Sequence, residues 1–84
     1  MKTRQKNVLA TLRIGTILKD RKSPLIQEVE LVVDVAQLPL YIREAIIDEL
    51  GDEFAEKGLG SDSEPNKYGL EIEELTDICS QGST

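Results

Sequence analysis

VLATLRIGTIL, residues 8–18, and LIQEVELVVDV, residues 25–35, are the two stretches whose reading decides the fold. In the first, Val8, Ala10, Leu12, Ile14 and Leu18 share one parity, with Thr11, Arg13 and Gly15 on the other. In the second, Leu25, Val29, Leu31, Val33 and Val35 alternate with Glu28, Glu30 and Asp34. Period-two patterning with this many β-branched residues predicts two half-buried strands. The polar loop Lys19-Asp20-Arg21-Lys22-Ser23-Pro24 between them ends in a proline that suits a strand's first position.

A register follows from the pattern. Pairing Leu18 with Leu25 also sets Ile14 against Val29, Leu12 against Leu31, Ala10 against Val33 and Val8 against Val35. Arg13 then falls opposite Glu30 on the outer face, a favourable cross-strand pair. The outer face still carries Leu9, Ile17, Ile26 and Val32, so a homodimer or a partner chain is expected to cover it or an edge strand.

Downstream, residues 39–57 read as an amphipathic helix, with Pro39 in its first turn, Lys57 in its last and Gly58 as its stop. At about 100° per residue, Leu40, Ile42, Ile46, Ile47, Leu50 and Phe54 fall on one arc. Arg43 lies inside that arc and is expected to snorkel to its rim or to pair with an acid. Gly51, in mid-helix, reads as a kink or a close backbone contact. Residues 58–66 form a loop, Tyr68–Glu73 a third strand with a turn of helix possible afterwards, and residues 80–84 a flexible tail. The expected architecture is α+β, a two-layer β-β-α-β fold in which one helix covers an antiparallel hairpin plus a C-terminal strand, built as one domain over residues 1–79. Leu12, Leu31, Val33, Ile42, Ile46 and Leu50 are the expected core.

Composition narrows the chemistry. The chain has 84 residues, no histidine and one cysteine, Cys79. That removes imidazole bases, imidazole metal sites, thiolate zinc sites and intrachain disulfides. Cys79 reads as a small, semi-buried apolar residue. The carboxylates lie on an expected solvent face, where nothing raises a pKa, so no enzymatic role and no cofactor are expected. Gly58-Leu59-Gly60 leads to Ser61-Asp62, not to a GK[ST] run, and follows a helix, which argues against a phosphate loop. Asp62, Glu64 and Asn66 resemble calcium-loop spacing only weakly, since Pro65 interrupts them and the terminal glutamate is missing. Ser61 and Ser63 beside these acids are candidate phosphorylation positions on a solvated loop. No apolar run reaches the ~20 residues of a membrane span. The basic start lacks a signal-peptide apolar stretch, and the expected setting is cytoplasmic.

Charge is uneven along the chain. Seven of ten cations, Lys2, Arg4, Lys6, Arg13, Lys19, Arg21 and Lys22, precede residue 23, and fifteen of sixteen carboxylates follow it. Two surfaces come from this distribution. Glu44, Asp48, Glu49, Asp52, Glu53 and Glu56 form an acidic helix face, unmixed with the lysines that solubility alone would bring. It is expected to dock on a basic protein surface, making the chain a small regulatory or accessory protein or an inhibitor, with imitation of nucleic-acid phosphates as a sharper form. The alternative is a dimeric nucleic-acid-binding regulator that uses Lys2, Arg4, Lys6, Lys19, Arg21 and Lys22. No aromatic is interleaved with those cations for base stacking, and the net charge of −6 argues against a general nucleic-acid coat. A structural subunit joined through an edge strand is the third reading.

Overall fold

A computed structural model describes residues 2–62 and 64–81, with side chains for residues 5–62 and 64–80. The described residues form α1 (Lys2–Asp20), α2 (Ile26–Val29), a 3-10 turn (Val35–Gln37), α3 (Leu40–Lys57) and α4 (Lys67–Gln81). No strand occurs among them, and their only β-type pairing is the isolated bridge between Leu59 and Pro65. The expected β-β-α-β fold is therefore overturned: neither the 8–35 hairpin nor the 68–73 strand exists.

The reason is visible in the first stretch. Ala10, Ile14, Ile17 and Leu18 stand at i, i+4, i+7 and i+8, and all four are buried. That is helical spacing. The period-two row breaks at Thr16 and assigns Ile17 to the outside, whereas the fold buries it. Leu, Ala, Lys, Arg and Gln between residues 2 and 13 are also strong helix formers. Leu12, Leu31 and Val33, expected in the core, are 65%, 79% and 61% exposed. In the second stretch only Val29, on α2, and Val35, on the 3-10 turn, are buried. The acids between them cap and solvate short turns instead of lining a sheet. Asp34 accepts from the Ala36 N–H at 2.9 Å and forms a reciprocal capping box with Gln37.

Two local devices close the N-terminal half. The loop leaving α1 places Lys22 at φ 58 while the Ser23 N–H donates to the Leu18 carbonyl at 2.9 Å, the six-residue closure of a left-handed helix stop. Thr11 is buried, donates to the Asn7 carbonyl and accepts from the Val35 N–H, both at 2.7 Å. That single hydroxyl ties the 3-10 turn to α1.

The third element was legible. Helix α3 runs from Leu40 to Lys57 with Pro39 at its N-cap and Gly58 at its C-cap, and it buries Ile46 and Leu50 completely. Ile42, expected in the core, is half-buried. Helix α4 packs antiparallel to α3 and supplies Ile72, Leu75, Ile78 and Cys79 to the core. It includes Ser80 and Gln81, which the sequence reading placed in a tail, and residues 82–84 lie outside the described ones. Arg43 does not reach the rim or an acid. It is 3% exposed, donating from Nε to the Leu38 carbonyl at 3.0 Å and from Nη1 to the Cys79 carbonyl at 2.9 Å. Gly51 makes no close backbone contact, because a Cβ there would meet nothing within 4 Å. The close approach belongs to Gly58 and Gly69, where a Cβ on Gly69 would lie 2.1 Å from the Gly58 carbonyl oxygen.

One substitution at two glycines should therefore have opposite signs. Gly69→Ala forces the backbones apart and should cost about 1–3 kcal/mol or more. Gly51→Ala should stabilise by about 0.5–1 kcal/mol. Urea unfolding of both variants checks this, and a destabilised Gly51→Ala would mean that the glycine has a packing role. Ile46→Ala should cost about 2–5 kcal/mol, and an unchanged melting temperature would show that α3 is set at the wrong rotation.

Candidate functional site

The six acids of α3 separate into two rows. Glu49, Glu53 and Glu56 face the loop that follows α1, and Arg21 reaches all three from there. Its Nε donates to Glu49 at 2.9 Å and its Nη1 to Glu53 at 2.8 Å, with longer bonds to Glu56 at 3.3 and 3.4 Å. Glu53 is 2% exposed. It also accepts from the Tyr68 hydroxyl of α4 at 2.6 Å and lies 3.7 Å from the Lys57 ammonium. Burial alone would raise the Glu53 pKa, but the hydrogen bonds from Tyr68 and Arg21 and the charge of Lys57 outweigh it and hold the carboxyl below its ordinary range. Burial, together with the bond to that carboxylate, pushes the Tyr68 phenol up to about 12. This cluster is a structural clamp between three elements.

Glu44, Asp48 and Asp52 form the other row. They are exposed, and none has an ion-pair partner among the described residues. At four-residue spacing they stand about 6 Å apart along the helix. Tyr41, also exposed, stands one turn before Glu44 and Ala45 on the same helix.

Between α3 and α4 lies a groove of about 340 Å³ lined by Leu50, Gly51, Phe54, Ile72, Glu73, Thr76 and Asp77. Leu50 and Ile72 lie buried beneath it, the half-buried Phe54 is its accessible apolar side chain, and Glu73 and Asp77, one turn apart on α4, make an acidic wall. Gly51 opens the opposite wall. Asp48, three positions before Gly51, lies on the neighbouring strip of α3, and none of Glu44, Asp48 and Asp52 is among the residues lining the groove.

The basic candidates are not gathered. Lys2 and Arg4 lie outside the described side chains. Lys6 pairs with Glu74 at 3.3 Å and Arg21 is held by its three glutamates. Lys19 and Lys22 are exposed at the far end of α1 from Lys6. Asp62 and Asn66 serve the loop itself: Asp62 accepts from the Glu64 N–H at 3.2 Å, and Asn66 caps α4 by accepting from the Gly69 N–H at 2.8 Å. Ser63 lies outside the described residues, and Ser61 is exposed. Among the described residues no group of three or more histidine, cysteine or carboxylate side chains is placed to hold a metal ion. Cys79 is fully buried, and burial pushes its thiol up to about 12, so it stays protonated. No helix among the described residues is long and apolar enough to cross a membrane.

The groove, with Glu73, Asp77 and the role of Gly51, was missed by sequence reading. Its signal was the helical spacing of Leu75, Ile78 and Cys79, which extends back through Ile72 and places Glu73 and Asp77 on one side. No protein-family model matches the chain, and neither curated proteins nor solved structures give a match.

The clamp makes stability pH-dependent at both ends. Glu53 titrates below its ordinary 4.5, so its contribution is complete above that value and is lost as pH falls through the lower folded pKa. Tyr68 titrates above its ordinary 10.0, so its contribution is lost as pH rises from there to about 12. Glu53→Gln should cost about 1–3 kcal/mol at neutral pH and flatten the acid limb of a melting-temperature profile. An acid limb that survives the substitution unchanged would assign the effect to other carboxylates.

Proposed function

We propose that this chain is a non-catalytic protein-interaction module, a small regulatory or accessory protein whose α3–α4 groove receives a basic amphipathic segment of a partner protein. Gly51 is the observation that carries the reading. A glycine inside a helix costs roughly 1 kcal/mol relative to alanine, and nothing in the fold uses the missing side chain. What the absence does is keep the α3 side of the groove clear, so that the half-buried Phe54 stays accessible opposite the carboxylates of Glu73 and Asp77. An occupant that satisfies both features presents apolar side chains on one face and lysine or arginine on the other. The chain's net charge of −6 favours the same class of partner.

This narrows the acidic docking face from six carboxylates to Glu44, Asp48 and Asp52, joined by Glu73 and Asp77, because Arg21 occupies Glu49, Glu53 and Glu56. Phe54, half-buried beside Gly51, favours an occupant with an apolar side chain over imitation of phosphates. Capture of a functional basic segment would make the protein an inhibitor of its partner. The nucleic-acid alternative draws less support, since Lys6 and Arg21 are committed to acids of the same chain. The subunit reading needed an edge strand, and the described residues contain none. The proposed setting is cytoplasmic, where a lone buried thiol needs no disulfide partner.

A synthetic helical peptide of leucine and lysine, with one apolar face, is the probe. Wild-type protein should bind it with an affinity that falls as salt rises, and Gly51→Leu should weaken binding at least about tenfold, a loss of about 1.4 kcal/mol, while keeping the melting temperature or raising it. The pair Asp48→Lys with Asp52→Lys should also leave the fold intact, because it puts a lysine four residues after Glu44 and another four before Glu56. That pair should slow association of the peptide. Equal binding of a scrambled peptide with the same charge, or binding indifferent to Gly51→Leu, would show diffuse attraction and remove the groove from the reading.

A further inference from the structure

The opposite side of α4 carries a second surface, with a different pattern. There α1 and α4 run antiparallel, and two ion pairs cross between them: Lys6 to Glu74 and Arg13 to Glu71. Both cations belong to α1 and both anions to α4. Between the pairs lies a hollow of about 380 Å³ lined by Leu9, Ala10, Leu70, Leu75 and Ile78. Leu9 and Leu70 on its rim are 57% and 56% exposed, and Leu12 extends the apolar surface along α1. The face is therefore an apolar hollow with an ion pair at each end, its cations on the α1 side and its anions on the α4 side.

The geometry points to a second copy of this chain as the occupant of the α1–α4 face, related by a two-fold axis lying in the face and parallel to α1. The charge layout selects both the occupant and the axis. Rotation about that axis carries each copy's α1 edge over the other's α4 edge at the same height. Lys6 then faces the partner's Glu74, and Arg13 faces the partner's Glu71, so each end of the face holds four alternating charges. A two-fold axis perpendicular to α1 in the same plane would set cation over cation and anion over anion, which is repulsive. The charged side chains keep between 42% and 59% of their surface exposed, which leaves room for a second counter-charge. Leu9 and Leu70 of both copies meet in the middle, away from water. A standard interface takes roughly 800 Å² from each copy, a modest part of the 5595 Å² this chain exposes. The surface is separate from the α3–α4 groove and does not depend on it for the argument.

Two complementary variants test this on the full chain. One makes the α1 edge acidic with Lys6→Glu and Arg13→Glu; the other makes the α4 edge basic with Glu71→Lys and Glu74→Lys. By sedimentation at about 100 µM, which reads dissociation constants up to that order, wild type should be a dimer. Each variant alone should be a monomer with unchanged helical circular dichroism, and an equimolar mixture should restore the dimer. Leu70→Ser, at a half-exposed position that the fold does not need, should also yield a monomer with wild-type melting at low concentration. If either charge variant fails to fold, the Leu70→Ser result decides. A wild-type monomer at this concentration overturns the inference, as does a dimer that survives Leu70→Ser or both charge variants unchanged.

Discussion

The contact between Gly58 and Gly69 is the constraint on which the rest depends. A helix pair this close cannot tolerate a Cβ on either backbone at that point, and each glycine leaves the space the other uses. Asn66 locks the junction, donating its amide to the Lys57 carbonyl at 3.1 Å and accepting from the Gly69 N–H at 2.8 Å. With α3 and α4 pinned at this end, Tyr68 stands beside Glu53, and at the other end Arg43 lies under the last turn of α4. There its guanidinium meets the Cys79 carbonyl at the negative end of the helix dipole. A buried arginine without a carboxylate is tolerable here because two carbonyls satisfy it.

Charge explains how α1 joins this pair. The basic first quarter and the acidic remainder looked like a surface addressed to outside partners. In the fold, much of the asymmetry is internal: Lys6 and Arg13 pair with α4, and Arg21 gathers three glutamates of α3. Only the Arg21 cluster is withdrawn from water, and there the hydrogen bonds are numerous enough to offset desolvation. The exposed pairs contribute at most about 1 kcal/mol each, so their arrangement says more about orientation than about stability. Among the described residues, charge of both signs remains without an ion-pair partner, Lys19, Lys22 and Lys67 as well as carboxylates that include Glu73 and Asp77 at the groove.

Helix α3 was legible because its apolar spacing, proline start and glycine stop agree. The first helix was not, because the strand row and the helical row share Ala10, Ile14 and Leu18. Leu12 and Ile17 separate the two, and a residue or two on the wrong parity is easily read as an exception. The stretch from Leu25 to Val35 misled for a stronger reason. Its alternation is real, yet no sheet exists to use it, and Leu31 and Val33 stay exposed while Asp34 caps a turn. Local pattern decides conformation only where tertiary contacts reward it. Gly51 suggested a contact within the chain, since a costly residue in mid-helix usually has one, yet a Cβ there would meet nothing within 4 Å.

Helix α4 is the element both proposals share, and its two sides are chemically distinct. Glu73 and Asp77 face the groove with α3, while Leu70, Glu71 and Glu74 face α1. A helix of this length cannot be repacked on one side without moving the other, because Ile72, Leu75 and Cys79 fill the core between them. Dimerisation through the α1 side would leave both grooves open on the outer flanks of the pair. Two weak grooves held on one rigid body bind a partner carrying repeated basic segments far better than either alone, provided the spacing matches. On that geometry, the modest size of a single groove is no obstacle to a useful affinity, and the sharp charge polarity of the α1–α4 face has a purpose that two solvent-exposed ion pairs on a monomer would lack.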